Sequence, residues 1–270
     1  MNPLPARPLL YAHRGAAHER PENTLVSFQR AMDIGVDALE TDLHMTVDGH
    51  IILSHDPDAA RMTGVNAQFC KVALAEVKSW DAGHGFVDAH GGRPFLGQGI
   101  RIPTLEELLI EFPSVRLNVD IKQASPPMVG TLLALLTRTG SAERVTIGSF
   151  HGSVIRDVRR RGYPGSTALS MAEMLSFVAL RPGQWRGLWN LLERPLGITG
   201  DAAQIPAHWR NIRLDTRERI DGLHRLGIRV DYWTVNDPDE ARRLLELGAD
   251  GIMTDDPAAI KPVFAAMFPA

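Results

Sequence analysis

The run from Tyr11 to Asp56, YAHRGAAHERPENTLVSFQRAMDIGVDALETDLHMTVDGHIILSHD, decides how the rest of the chain is read. Leu9 to Ala12 is apolar and gives way at His13-Arg14-Gly15, so His13 and Arg14 stand where a strand becomes a loop. Val36 to Leu43 alternates. Side chains two apart on a strand share a face, so Glu40, Asp42 and His44 point the same way. Asp48-Gly49 is a tight-turn signal, and Ile51-Ile52-Leu53 then carries the chain back to His55. The segment reads as strand, helix, strand and hairpin-like return, with its polar groups gathered at strand ends.

Those groups have a shared chemistry. Two aligned carboxylates, Glu40 and Asp42, form an oxygen-rich niche suited to Mg²⁺ or Ca²⁺ rather than to a soft metal. His13 and His55 are side chains able to exchange protons near neutral pH. Arg14 offers a planar fork for phosphate oxygens. Together they suit metal-assisted cleavage of a phosphoryl ester. Taken singly, each has a bland explanation: His-Arg as a surface pair, the acids as solvated strand ends. Their concentration at strand boundaries within one short stretch favours the functional reading.

The segments His13-Arg14-Gly15, Pro21-Glu22-Asn23-Thr24, Glu40-Thr41-Asp42, Thr46-Val47-Asp48-Gly49 and His55-Asp56 resemble the signature of the glycerophosphodiester phosphodiesterases. Later pieces agree in order: Asn118-Val119-Asp120-Ile121-Lys122, Ser149-Phe150, Trp233-Thr234-Val235-Asn236 and Asp250 to Asp255. The resemblance implies one divalent cation held by Glu40, Asp42 and a third-strand acid. The family has glutamate there and this chain has Asp120, one methylene shorter. It also implies His13 and His55 as general acid and base, with Arg14 and Lys122 neutralising the phosphate. Glu22 either orients Arg14, approaches the metal, or simply favours a helix N-terminus. A substrate 2-hydroxyl or a water could be the attacking group, and both routes stay open. The implied substrate is a small phosphodiester, with a lysophospholipid as the alternative because some relatives act on those.

Composition is compatible with this. The chain has 270 residues and 44% hydrophobic content, enough for one large α/β barrel or two small domains. Lys+Arg 29 against Asp+Glu 32 leaves −3, which gives no electrostatic footprint for nucleic acid. A single cysteine, Cys70, excludes an internal disulfide and fits a reducing compartment. Pro3, Pro5 and Pro8 precede His13 where a secretory signal would be apolar, and no run reaches the ~20 apolar residues of a membrane span. A cytoplasmic protein without stable membrane insertion is expected. Nothing here decides whether it forms a homo-oligomer.

Strands are expected at Leu9–His13, Ala38–Leu43, Leu117–Lys122, Val145–Ser149, Ser166–Ser170, Ala202–Ile205, Arg229–Thr234 and Gly251–Thr254. Helical patterns separate nearly all of them. Thr104 with Glu107 has the capping-box form, Asp237-Pro238 opens another helix, and Gly35, Gly162, Gly227 and Gly248 close helices. This alternation predicts a (β/α)₈ TIM-type barrel, residues 1–270 forming one domain. An open doubly wound sheet is the alternative, but no glycine-rich loop opens its first helix. Residues 57–102 interrupt the rhythm as a small insertion after the second strand, with a short helix near Leu74 to Trp80, packed over the strand ends or left as a surface loop.

Several residues are open to two readings. His44 is read as barrel filling or support for the site, and His18 and Glu19 as exposed loop residues. Trp233 forms either a flat wall for the glycerol moiety or a packed core residue. Met171 to Gly197 is apolar. Within it Trp185, Leu188, Trp189 and Leu192 lie at helical spacing, flanked by Arg181, Arg186 and Arg194. That pattern suits a barrel helix burying its face or a platform for a lipid tail.

Overall fold

The computed structural model describes residues 7–179, 197–209 and 212–269. Its centre is a curled sheet of parallel strands with helices outside. In chain order the strands are β1 (Leu9–His13), β2 (Ala38–Met45), β3 (Ile51–Leu53), β4 (Arg116–Ile121), β5 (Val145–Gly148), β6 (Ala202–Ile205), β7 (His208–Trp209), β8 (Ile212–Arg213), β9 (Arg229–Tyr232) and β10 (Gly251–Thr254). Seven of them run β5-β4-β2-β1-β10-β9-β6 around the curl, every pairing parallel. β3 folds back antiparallel on β2, the expected return, and β7 with β8 forms a separate small hairpin.

The expected strand at 166–170 is reduced to single bridges. Thr167 pairs with Ile147 of β5 and Ala168 with Ala202 of β6, both parallel. Backbone bonds Ala168 N–H to Ile147 O (2.9 Å) and Leu169 N–H to Ala202 O (2.8 Å) span the remaining gap in the curl. The segment thus fills an eighth position without a regular ladder. Gly165 before it has no room for a side chain, since a Cβ would lie 2.3 Å from the Ala142 carbonyl oxygen.

Local chemistry sets the helix ends. Helix α1 (Leu25–Ile34) starts at Thr24, whose hydroxyl accepts the Ser27 N–H, and ends at Gly35 with φ 85°. In chain order α2 (Ala60–Thr63), α3 (Leu74–Val77) and α4 (Leu105–Glu111) follow, α4 with the expected Thr104/Glu107 capping box. Beyond them come α5 (Val129–Arg138), α6 (Gly152–Arg160) and α7 (Met171–Ala179). α7 opens on Ser170, whose hydroxyl accepts the Glu173 N–H while its own N–H donates to the Glu173 carboxylate.

The apolar faces of strands and helices form one continuous core, including Leu10, Phe28, Leu39, Val119, Ile147, Val230 and Ile252. Full burial of each such side chain stabilises by about 1.5–3 kcal/mol. Inside the curl, away from the strand C-terminal ends, Asp231 is fully buried and paired to Arg229 at 2.8 Å, with Arg229 over the Tyr11 ring. The residues after β3 hold a second small core of Ile52, Met62, Phe69, Val77, Trp80 and Ile102. There the expected single helix is α3, and α2 and a 3₁₀ turn at Phe69–Lys71 were not legible beforehand. The Trp185 to Leu192 stripe lies outside the described residues.

Candidate active site

The register of β1, β2 and β4 puts the chemistry at the strand C-terminal ends. His13 stands beside Glu40, and Asp42 beside Asp120. Parallel strands place neighbours at one height, so residues far apart in sequence face one space. That space is a cavity of about 400 Å³, lined by His13, Arg14, Glu40, Asp42, His55, Asp120, Lys122 and Trp233 among others. Glu22 is not among its lining residues and lies behind Arg14.

Each histidine is fixed by its own carboxylate. The His13 Nδ1–H donates to Asp255 Oδ1 at 2.7 Å, leaving Nε2 toward the cavity, 3.8 Å from Glu40 Oε2. Asp255 is held by Asn236, whose Nδ2 donates to Oδ2 at 3.1 Å and whose Oδ1 accepts the Asp255 N–H at 2.9 Å. His55 donates Nδ1–H to Asp56 Oδ1 at 2.9 Å. These proton positions follow from the bonding network. For His13, burial works against the imidazolium, but Glu40 and the Asp255 bond outweigh it and raise the imidazole above its ordinary value.

The cations interleave with the acids. Arg14 Nε lies 3.1 Å from Asp42 Oδ2, and its Nη1 donates to Glu22 Oε1 at 3.3 Å. Lys122 Nζ lies 3.0 Å from Asp42 Oδ1 and donates to Asp120 Oδ2 at 2.6 Å. Burial opposes ionisation of Asp42, yet Lys122 and Arg14 hold it below the usual carboxylate range. Glu40 goes the other way: burial, then the charge of Asp42, push it up to about 7. Arg14 reaches its place through a left-handed backbone, φ 56°. Gly15 follows with φ 84°, packed so closely on Ser27 that a Cβ would lie 2.4 Å from its Oγ.

Sequence reasoning passed over three residues the structure brings in. Asp255 and Asp56 orient the histidines. Asn23 is fully buried at φ 54°, donating to Asp42 Oδ2 at 3.1 Å and accepting from Thr41 at 2.7 Å. Asp56 directly follows His55, and Asn23 lies within the Pro-Glu-Asn-Thr segment, so adjacency was the available signal. Asp255 closes the Asp250 to Asp255 segment, but at 242 positions from His13 nothing in the sequence tied it to that imidazole. His44 is buried, stacked over Phe69 with centroids 6.1 Å apart, and its Nε2–H donates to the His55 carbonyl at 3.3 Å. Burial pushes its imidazole down. His18 bonds Asp256, and Glu19 pairs with Arg30, away from the cavity. Trp233 meets Phe150 edge-on at 5.9 Å, borders the cavity and also packs against the buried cluster of Leu9, Tyr11, Ala38 and Met253, so both readings of it describe part of its surroundings.

The expected cation niche is supported by donor chemistry but is not assembled as a cage. Glu40, Asp42 and Asp120 all border the cavity, and Asp120 Oδ1 is buried without a hydrogen-bond partner. The crowding of Glu40 by Asp42 is the kind of charge excess a cation relieves. Among the described residues, however, no three His, Cys, Asp or Glu side chains converge closely enough to hold an ion as they stand. The reason is visible in the contacts above: the Lys122 ammonium and Arg14 guanidinium bridge the acids. Oxygen donors with an unmet bond suit a hard divalent ion, which Glu40, Asp42 and Asp120 would be the residues to hold.

A barrel carrying paired imidazoles, phosphate-matching cations and acids at its strand ends defines a class of phosphoester hydrolase. Residues 13–259 match the glycerophosphoryl diester phosphodiesterase family, and the chain belongs to that family. It is 32% identical over 257 residues to a glycerophosphodiester phosphodiesterase of Caldanaerobacter subterraneus, covering 93% of this chain and 96% of the relative. It is 28% identical to a human lysophospholipase D, covering 93% and 84% respectively. The fold matches the glycerophosphoryl diester phosphodiesterase domain of a Mycobacterium tuberculosis protein, with TM-score 0.80, 22% identity and coverage of 95% and 98%. An Oleispira antarctica phosphodiesterase solved with its product sn-glycerol-3-phosphate matches with TM-score 0.73, 22% identity and coverage of 96% and 97%. These likenesses agree with the (β/α)₈ reading of the fold.

Proposed function

We propose that this enzyme hydrolyses glycerophosphodiesters to an alcohol and glycerol 3-phosphate within one barrel domain. The observation that carries the reading is convergence. Two carboxylate-fixed histidines and two cations from β1, β4 and the turn after β3 face one cavity. Arg14 and Lys122 bind the phosphate oxygens and offset charge as it builds on them. One imidazole Nε2 takes the proton of the attacking hydroxyl or water, and the other delivers a proton to the departing alkoxide oxygen. Trp233 packs against the glycerol portion. Glu40, Asp42 and Asp120 would hold a divalent ion, Mg²⁺ or Ca²⁺, which when bound would supply electrophilic pull on the phosphate. The expected setting is the cytoplasm. Among the described residues no helix is long and apolar enough to cross a membrane.

Purified protein with glycerophosphocholine and either ion should release choline, and chelation should abolish release until the ion is restored. Absence of product with any divalent ion would overturn the assignment.

A second reading has its own support. Part of the cavity wall is apolar, built from Leu169, Met174, Leu175, Val178, Pro206 and Leu214. Met171 and Leu175 stay 40% and 42% exposed at its edge, an apolar surface with no small-molecule need for it. An acyl chain gains about 0.8 kcal/mol for each CH₂ buried there. Lysophospholipase D activity, releasing the head-group alcohol and leaving lysophosphatidic acid, fits that wall. Relative rates on lysophosphatidylcholine and glycerophosphocholine separate the two readings.

A further inference from the structure

Arg61 is on the short helix α2 and belongs to the insertion, not to the barrel. Its guanidinium is nevertheless tied to both halves of the site. Nη1 and Nη2 donate to Glu22 Oε2 and Oε1 at 2.7 and 2.8 Å, a two-pronged pairing. Nε donates to Asp56 Oδ2 at 2.5 Å. Glu22 is the carboxylate that contacts Arg14, and Asp56 is the one that accepts from His55. Arg61 does not line the reaction cavity. It borders, with Glu22 and His18, a separate pocket of about 240 Å³ on the other side of Glu22.

We propose that Arg61 is a positioning residue: a single guanidinium that sets the spacing between His55 and Arg14 by gripping the carboxylate behind each. The inference rests on the roles given above to His55 and Arg14.

The geometry supports this over a purely structural tie. Arg61 is anchored by its neighbours, since Ala59 and Met62 are buried in the insertion's own small core. A planar fork with five donors can satisfy two carboxylates at once, which a lysine's point charge cannot do with fixed directions. By occupying both Glu22 oxygens, Arg61 leaves Glu22 only one long contact to Arg14, 3.3 Å. Without Arg61, Glu22 is free to take the Arg14 guanidinium in a full pairing and draw it off the phosphate. Asp56 at the same time loses the donor that fixes its second oxygen, and its grip on His55 Nδ1 loosens. One side chain therefore couples the placement of the insertion to two reacting groups, Arg14 and His55, far apart in sequence.

The test compares the parent with Arg61→Met, Arg61→Lys, Asp56→Asn and the Arg61→Met/Asp56→Asn double variant. Folding is checked by circular dichroism and thermal melting. On glycerophosphocholine, Arg61→Met should lower kcat at least tenfold and raise KM severalfold. Arg61→Lys should recover only part of either, and the double variant should be no slower than the worse single. Independently of turnover, the His55 ring ¹⁵N shifts should move from the Nδ1–H form toward the tautomer mixture of a free imidazole in Arg61→Met. The proposal is overturned if a folded Arg61→Met keeps kcat and KM within twofold of the parent. Equal recovery by lysine, or strictly multiplicative losses in the double variant, also overturns it. If the parent itself turns over no phosphodiester, the functional reading fails. The ¹⁵N result then decides alone, and an unchanged His55 ring in Arg61→Met counts against the proposal.

Discussion

Asp255→Asn is the sharpest probe of how His13 works. In the native site the two Asp255 oxygens each face a donor: the His13 Nδ1–H on one side and the Asn236 Nδ2 on the other. An asparagine has one carbonyl oxygen and one NH₂ to offer these two donors. Asn236 cannot turn over to help, because its Oδ1 already accepts from Thr254 Oγ1 and the backbone N–H of residue 255, both at 2.9 Å. The new amide therefore points its oxygen at Asn236 and its NH₂ at His13. Nδ1 must then accept, and the proton moves to Nε2, the atom that faces the reacting groups. A neutral imidazole in that form cannot take up a proton at Nε2. The loss is bounded by what a positioned acid or base contributes, about 10²–10⁴ in rate. That span is roughly 2.7–5.4 kcal/mol at 1.36 kcal/mol per decade. Choline release from glycerophosphocholine, followed over a range of substrate concentrations, should show this fall in kcat with KM within about threefold, since Asp255 touches no phosphate-binding group here. His13→Ala sets the floor. A kcat for Asp255→Asn within threefold of the parent, or a loss confined to KM, would refute the tautomer argument.

Three further outcomes are expected. Gly15→Ala places a methyl group against Ser27 in a left-handed backbone. It should cost about 1–3 kcal/mol, read as a lower midpoint in urea unfolding with activity falling alongside. His224 donates to Asp250 at 2.7 Å, and that bond raises its imidazole above the ordinary value even though burial pulls it down. Its stabilisation is therefore complete below about pH 6.5 and is lost as pH rises through the higher folded value, so the melting difference between parent and His224→Ala, about 2–4 °C at most, should shrink from pH 6 to pH 9. Met174→Asn puts an amide on the apolar wall, and the ratio of lysophosphatidylcholine to glycerophosphocholine turnover should drop about 10–100-fold if acyl chains lie there. An unchanged ratio would exclude that wall from substrate contact.

Much of this was legible before any coordinates, and the reasons are local. Strands such as Leu9–His13, Ala202–Ile205 and Gly251–Thr254 are apolar runs cut off sharply by polar or glycine signals, and they fall where expected. Period-two patterning likewise aligned Glu40 with Asp42. What escaped depends on partners. The segment at 166–170 has strand-like residues but makes only one bridge to each neighbour. Two-residue strands such as β7 and β8 are too short to carry a period. Asp255 was part of a recognised segment, yet only the β1–β10 pairing brings it to His13. The reach of Lys122 to Asp42 was equally hidden, because spacing along β4 says nothing about a side chain reaching across to β2.

The cylinder is joined unevenly. Six bridged pairs tie β2 to β4, whereas the segment between β5 and β6 makes one bridge per side, with two backbone hydrogen bonds toward β5 and three toward β6 and the residue before it. Ala168 and Leu169 of that seam border the greasy half of the cavity. The ionic flank of the cavity thus stands on the ladders joining β1, β2 and β4, and its greasy flank on a thinner joint of the cylinder.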